Sequence, residues 1–164
     1  MACPACEAFA QMVQRHYAYL FTELEFRLVH CEDGQPGRRC LLAAESGRAR
    51  IKFELDGEAP LAYFGTLDSP IGWANQLDGV PVWYLDNALL NFVEGAPSGS
   101  GPASAAGTAR GLEQLMAAAA ARLRPLAAEL VAAFAPDRTI EWWRDFDADQ
   151  ARRRQHLRQG FTNH

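Results

Sequence analysis

Four cysteines, Cys3, Cys6, Cys31 and Cys40, carry the chemistry that is easiest to name in this 164-residue chain. Cys3 and Cys6 form a Cys-x-x-Cys pair at the start of a segment with helical periodicity. A helix N-terminus stabilises a thiolate and so lowers the pKa of such a thiol. A thioredoxin-like site also needs a strand before the motif, and two residues precede it here. Redox catalysis by this pair is therefore an alternative and not the leading prediction.

The same four thiols are candidates for a structural zinc site, which takes four ligands. Cys31 and Cys40 are nine residues apart across a turn-rich loop, whereas a second Cys-x-x-Cys knuckle is the usual partner of the first. Facing strand cysteines more often serve as small core residues, and in a cytosolic protein we expect all of them to stay reduced. The sequence thus predicts no cofactor, with a thiol or metal protein using Cys3 and Cys6 as an alternative.

Catalytic motifs are missing from the sequence. It has no Gly-x-Ser-x-Gly, no phosphate-cradling glycine loop and no His-Glu-x-x-His. His16 and His30 lie in periodic segments, without a carboxylate at a telling spacing, which favours half-buried, hydrogen-bonded histidines over catalysts. We therefore predict no catalytic residue, and a binding protein is favoured over an enzyme.

The residues that best suit an interaction surface are aromatic and acidic. Trp73, Trp83 and Tyr84 lie in or beside a loop that also holds Asp68 and Asp78. Tryptophan and tyrosine are enriched at interface hot spots, and adjacent aromatics point in different directions. Core packing remains the more common role for such side chains. These five residues are the predicted binding candidates.

Charge and composition limit the class of partner. The net charge is −4, and residues 31–95 hold ten acids against five bases. An acidic body argues against nucleic acid and mildly favours a basic protein partner. No apolar run approaches the roughly 20 residues of a membrane span, and no secretory signal is visible, so a cytoplasmic location is expected. The abundance of arginine and alanine is typical of a GC-rich bacterial genome.

Periodicity predicts an α+β fold in which an antiparallel meander of four or five strands packs on an N-terminal helix. Helical spacing covers residues 5–24. Strands are predicted over residues 26–32, 39–45, 48–55 and 60–67, with a short fifth strand over 80–84. Apolar and charged residues alternate in 48–55, so one face of that strand should be buried and the other solvated.

Three units follow from this pattern. Residues 1–95 form the α+β body, and residues 96–109, rich in Gly, Pro, Ser and Ala, form a flexible linker. Residues 110–164 form a helical segment, with Pro125 dividing its first helix. This segment is predicted to pack on the body, with Trp142 and Trp143 as its contacts, or on a second copy of the chain, which makes a homo-oligomer the alternative assembly.

A family resemblance rests on three stretches: 17–29 (YAYLFTELEFRLV), 40–46 (CLLAAES) and 48–55 (RARIKFEL). This order of helix, entry strand, apolar strand and charged amphipathic strand resembles a class of small bacterial proteins, some of which are immunity proteins of polymorphic toxin systems. The resemblance covers residues 9–95. It implies an α+β body that binds a protein partner, with no catalytic residues to carry over.

The leading hypothesis is a non-catalytic protein-binding module, immunity-like or regulatory, that acts through the acidic body. One alternative is the thiol or metal protein described above. The other is a self-associating structural protein whose C-terminal helices are exchanged between copies.

Overall fold

The computed structural model describes residues 4–35, 39–57, 59–97 and 111–161. Its fold is α+β, as predicted, with a five-stranded antiparallel sheet in the order β1-β2-β3-β4-β7 and a separate two-stranded sheet, β5-β6. The strands are β1 (Arg27–Gln35), β2 (Arg39–Glu45), β3 (Arg50–Asp56), β4 (Ala59–Gly65), β5 (Gln76–Leu77), β6 (Val80–Pro81) and β7 (Tyr84–Leu85). The helices are α1 (Glu7–His16), α2 (Ala18–Thr22), α3 (Asp86–Val93), α4 (Leu112–Leu123), α5 (Ala127–Phe134) and α6 (Ile140–Phe161).

The predicted N-terminal helix over residues 5–24 is divided at Tyr17, which separates α1 from α2. Tyr17 has left the helical region, with φ −100° and ψ 28°. Its ring is buried and lies 4.9 Å from the ring of Phe53 on β3. Packing of a large aromatic ring against the sheet therefore outweighs continuation of the helix at this point.

The meander forms as predicted from β1 to β4, and the sheet has a fifth strand, but that strand is Tyr84–Leu85 and not residues 80–84. Val80 and Pro81 pair with β5 as a small hairpin, whereas β7 pairs with β4 through Phe64 and Tyr84. The sequence did not separate β6 from β7 because Val82 and Trp83 continue the apolar run between them. The sheet is thus completed by a strand of two residues.

A β-bulge in β1 changes which side chains share a face of the sheet. The register shifts between Leu28 and His30. Beyond it, Cys31 and Asp33 face the same side as Leu42 and Cys40, and His30 faces the opposite side. Strict alternation over the predicted strand 26–32 would put His30 on the same face as Leu28, but the bulge adds one residue and so reverses the alternation.

The helices cover one face of the sheet and enclose the core. Helix α4 packs on α1 and β4, and α5 also packs on β4. The hydroxyl of Tyr19 in α2 donates a 3.0 Å hydrogen bond to the carbonyl oxygen of Ala120 in α4. The rings of Trp142, Trp143 and Phe146 join the same core from α6. Within the described ranges, no helix is both long and apolar enough to cross a membrane.

Candidate functional site

The face of the sheet opposite the helices is covered by residues 66–83, which we call the cover segment. Lys52 on β3 is 0% exposed and Glu54 is 6% exposed. The prediction that these charged side chains are solvated is therefore wrong. Alternation showed that they share a face, but it could not show that a loop later in the chain folds over that face.

The ammonium group of Lys52 holds the cover segment to the sheet. Its Nζ donates to the carbonyl oxygen of Gly72 at 3.0 Å and to Oδ1 of Asn75 at 2.5 Å. It also lies 2.7 Å from Oε1 of Glu54 in an ion pair. Two hydrogen bonds and one ion pair thus surround the ammonium group with protein oxygens. The arrangement suits an anchor better than a catalytic lysine.

Burial also sets the ionisation of this cluster. Desolvation lowers the pKa of Lys52, and the hydrogen bond and charge of Glu54 partly oppose that shift. Burial raises the pKa of the neighbouring Tyr63 hydroxyl, whose ring lies 5.0 Å from Lys52 Nζ. The ring of Trp83 lies 5.1 Å from the same nitrogen. Two aromatic faces thus stabilise the buried cation in addition to its oxygens.

Trp73 holds the middle of the cover segment against β1 and β2. Its Nε1 donates a 2.9 Å hydrogen bond to Oε1 of Glu32. The guanidinium carbon of Arg39 lies 4.4 Å from the ring centroid. Gly34 is required beneath the ring, since a Cβ there would lie 2.8 Å from it. Hydrogen bonds from His30 and then from Trp73 lower the pKa of Glu32. Trp73 therefore stays half-buried as a clamp.

Trp83, the last residue of the cover segment, fixes its C-terminal end and is 3% exposed. Its Nε1 donates to the carbonyl oxygen of Pro70 at 2.8 Å. Ser69 Oγ donates to the carbonyl oxygen of Val82 at 2.7 Å. A Cβ at Gly65 would lie 2.5 Å from Ser69 Oγ, so this contact needs glycine. Of the predicted interaction residues, Trp83 is thus an internal support for the cover segment.

Between these two clamps, the β5-β6 hairpin projects apolar side chains into solvent. Leu77 is 49% exposed and Val80 is 62% exposed. The turn residues Asp78 and Gly79 have φ values of 51° and 78°, the left-handed pair that a two-residue hairpin turn requires. We call residues 77–80 the hairpin tip. Asp78, a predicted candidate, lies in it and is exposed.

Two other predicted candidates, Asp68 and Tyr84, line an open cavity of about 300 Å³ beside the cover segment. Tyr84 forms one wall, and its ring lies 5.0 Å from that of Trp143 on α6. Burial raises the pKa of the Tyr84 hydroxyl. Asp68 and Arg138 place opposite charges in the lining. The cavity therefore joins the body to the C-terminal helices.

No protein-family model, no curated protein and no solved structure matches this chain. The five predicted candidates divide into two clamps, Trp73 and Trp83, one residue of the exposed hairpin tip, Asp78, and two cavity-lining residues, Asp68 and Tyr84. Lys52, Asn75 and Ser69, which build the anchor, were not among the predicted site residues. One feature of the sequence could have indicated Lys52, because it is the single lysine in a chain with 15 arginines.

The state of the cysteines differs from the one expected from the sequence. Cys6 and Cys40 form a disulfide, with Cα atoms 5.7 Å apart and a separation of 34 positions in sequence. The expectation that both stay reduced is therefore wrong in this structure. Cys31 lies outside the disulfide, and Cys3 lies outside the described residues. The cross-link joins the turn at Pro4–Cys6 to β2, a pairing that no local pattern indicates.

Proposed function

We propose that this chain is a non-catalytic protein-binding module that docks a basic protein through its hairpin tip. The observation that carries the proposal is the exposure of Leu77 and Val80 on a hairpin tied to the sheet at both ends. One end is held by the Asn75–Lys52 hydrogen bond, and the other by the Trp83 ring, which lies against Lys52 and Gly65. Exposed apolar side chains held together on a rigid element are what an interface anchor requires.

The anchoring beneath the hairpin lowers the entropic cost of binding. The carbonyl oxygen of Asn75 accepts hydrogen bonds from the amides of Val82 at 3.0 Å and Trp83 at 3.3 Å, which close the base of the hairpin. The side chain of the same Asn75 accepts from Lys52. Since the tip is already ordered, a partner gains contact area without first fixing the loop.

Charge favours a basic partner. Asp78 lies in the tip, and Asp68 lies where the chain enters the cover segment. Among the described residues, neither carboxylate has an ion-pair partner. A partner that supplies lysine or arginine around an apolar pocket would pair with both and would be steered toward the acidic body. The resemblance to immunity proteins makes a toxin domain the specific partner that we propose within this class.

The test compares two pairs of exposed apolar residues. Leu77→Ser with Val80→Ser removes the tip, and Ile140→Ser with Leu157→Ser removes similarly exposed side chains on α6, which are 68% and 54% exposed. Tagged wild type and both variants are used to isolate partners from the native host, and a recovered partner is purified for titration. We expect the tip variant to lose at least 30-fold in affinity, about 2 kcal/mol, and the α6 variant to match wild type.

Two further measurements make the outcome decisive. Near-ultraviolet circular dichroism should show the tryptophan signals of Trp73 and Trp83 unchanged in the tip variant, which separates lost contact from lost structure. Binding should weaken as salt is raised, because the acidic charges are exposed. Equal affinity of the tip variant and wild type would refute the proposal. Light scattering that shows a dimer dissociated by the tip variant would replace it with self-association.

A further inference from the structure

Three potential metal ligands converge at the disulfide end of the sheet. The Sγ atoms of Cys6 and Cys40 and a carboxylate oxygen of Asp33 all lie within 4.8 Å of one another. Cys6 and Cys40 are buried, at 0% and 2% exposure, and Asp33 is exposed. The group therefore has a closed side, formed by the two sulfurs, and an open side through which an ion can enter.

The fold brings these residues together by two separate devices. The bulge in β1 turns Asp33 to the helix side of the sheet, where it stands directly opposite Cys40 on β2. The turn at Pro4–Cys6 packs on both strands and places Cys6 Sγ 3.7 Å from the carbonyl oxygen of Glu32. The bulge belongs to the pairing of β1 with β2, and the turn contacts both strands, so we expect the three groups to stay adjacent when the disulfide bond is reduced.

We propose that the reduced form of this cluster binds a zinc-class divalent cation through Cys6, Cys40 and Asp33, and that oxidation to the disulfide releases the ion. Zinc takes thiolate sulfur at about 2.3 Å and carboxylate oxygen at about 2.0–2.2 Å, which puts tetrahedral ligands roughly 3.3–3.8 Å apart. In the reduced form the two Sγ atoms separate from bonding distance to that spacing, and the Asp33 oxygen, which lies within 4.8 Å of both, moves closer to them. Two thiolates and a carboxylate carry a charge of −3, which a divalent cation largely neutralises.

The fourth position of a tetrahedral site lies on the open side and takes water.

The exchange between the two states balances. A dithiol reductant gives two electrons and two protons to the Cys6–Cys40 bond, yields two thiols and itself becomes a disulfide. Binding of Zn²⁺ then displaces the two thiol protons. Hydrogen peroxide reverses the change: the two thiolates form the sulfur–sulfur bond, peroxide takes up two electrons and two protons to give two waters, and Zn²⁺ leaves. The disulfide has no thiolate left to bind a metal.

The test uses the full chain, reduced without oxygen, loaded with zinc or cobalt and then desalted. Elemental analysis should find one metal per reduced chain, and the cobalt form should show a sulfur-to-metal charge-transfer band. Peroxide should release the zinc, measured with a colorimetric chelator, as thiols are lost in a 2:1 ratio to metal. Cys6→Ser with Cys40→Ser should abolish both signals. Asp33→Asn should weaken zinc binding at least about tenfold.

A matched carboxylate provides the control. Asp56 is exposed and sits at the same end of the sheet in an ion pair with Arg39, so Asp56→Asn should leave zinc affinity unchanged. Far-ultraviolet circular dichroism of the reduced chains separates lost ligands from lost folding, and Asp33→Asn, an exposed change, should keep the wild-type spectrum. A folded, reduced wild-type chain that retains no metal would overturn the proposal, as would equal affinity in the Asp33→Asn and Asp56→Asn variants.

Discussion

Replacing Lys52 with methionine tests whether the buried ammonium group holds the cover segment. The change keeps most of the side-chain volume and removes the charge. It leaves the carboxylate of Glu54, whose side chain is 8% exposed, without its cation. It also removes the donor for the carbonyl oxygen of Gly72 and for Oδ1 of Asn75. Breaking a buried ion pair from one side costs about 3–5 kcal/mol, and we expect Lys52→Met to fall in that range.

A double-mutant cycle separates the lost pair from the stranded charge. Adding Glu54→Gln to Lys52→Met neutralises the uncompensated carboxylate, so the double variant should be more stable than Lys52→Met alone. The coupling should be about 1–3 kcal/mol. Arg48→Met is the control, because Arg48 and Asp137 are 55% and 79% exposed, and such pairs contribute about 1 kcal/mol or less.

Urea denaturation gives the free energies, and amide hydrogen exchange locates the effect. Exchange should rise in residues 66–83 of Lys52→Met before it rises in β1–β4, since the cover segment loses its anchor first. A loss of less than about 1 kcal/mol in the free energy of unfolding of Lys52→Met would refute the anchoring role of Lys52. So would a further loss of stability when Glu54→Gln is added to that variant. Either result would mean that aromatic packing, and not the ammonium group, holds the segment.

Two further predictions concern the helix side of the sheet. Burial raises the pKa of Asp86 to about 6, so the folded state binds its proton more tightly than the unfolded state does. The stability that this group contributes is present below about pH 4 and is lost as the pH rises through about 6, by about 1–3 kcal/mol. Asp86→Asn should flatten this pH dependence in urea titrations at several pH values. An unchanged slope would exclude Asp86 as its source. Arg122→Ala should lower stability by about 1–3 kcal/mol because it breaks bonds to Glu94, Asn87 and Asn91 that join α4 to α3. The exposed pair of Arg124 with Glu23 supplies the control, since Arg124→Ala should cost less than 1 kcal/mol in the same thermal melts, and equal losses would contradict the assignment.

The local physics of the chain was enough to predict the α+β class and the meander. Strand β3 alternates apolar and charged residues. Short turns, such as residues 46–49 with Ser46 and Gly47, connect the strands, so neighbouring strands in sequence pair in space. These features depend on contacts between residues close in sequence. The same is true of the break at Pro125, which lies in a 3-10 turn between α4 and α5.

What could not be predicted depends on residues far apart in sequence. Lys52 meets Asn75 across 23 residues, and Cys6 meets Cys40 across 34. A polar pattern identifies a shared face of a strand, but it does not show whether water or another segment covers that face. The bulge at Val29 is a backbone irregularity with no glycine or proline to mark it. The candidate site was therefore found in part, through its aromatic and acidic residues but without its anchor.

The contact between Tyr19 and Ala120 has a consequence for the order in which the newly made chain folds. These residues are 101 positions apart, and α1 and α2 pack on α4. During synthesis the strands of the meander leave the ribosome well before α4, and their short connections let them pair early. Helices α1 and α2 must therefore wait for the much later α4 before their apolar faces are fully covered. In the interval, a chaperone that shields apolar helices would find its binding site on α1 and α2.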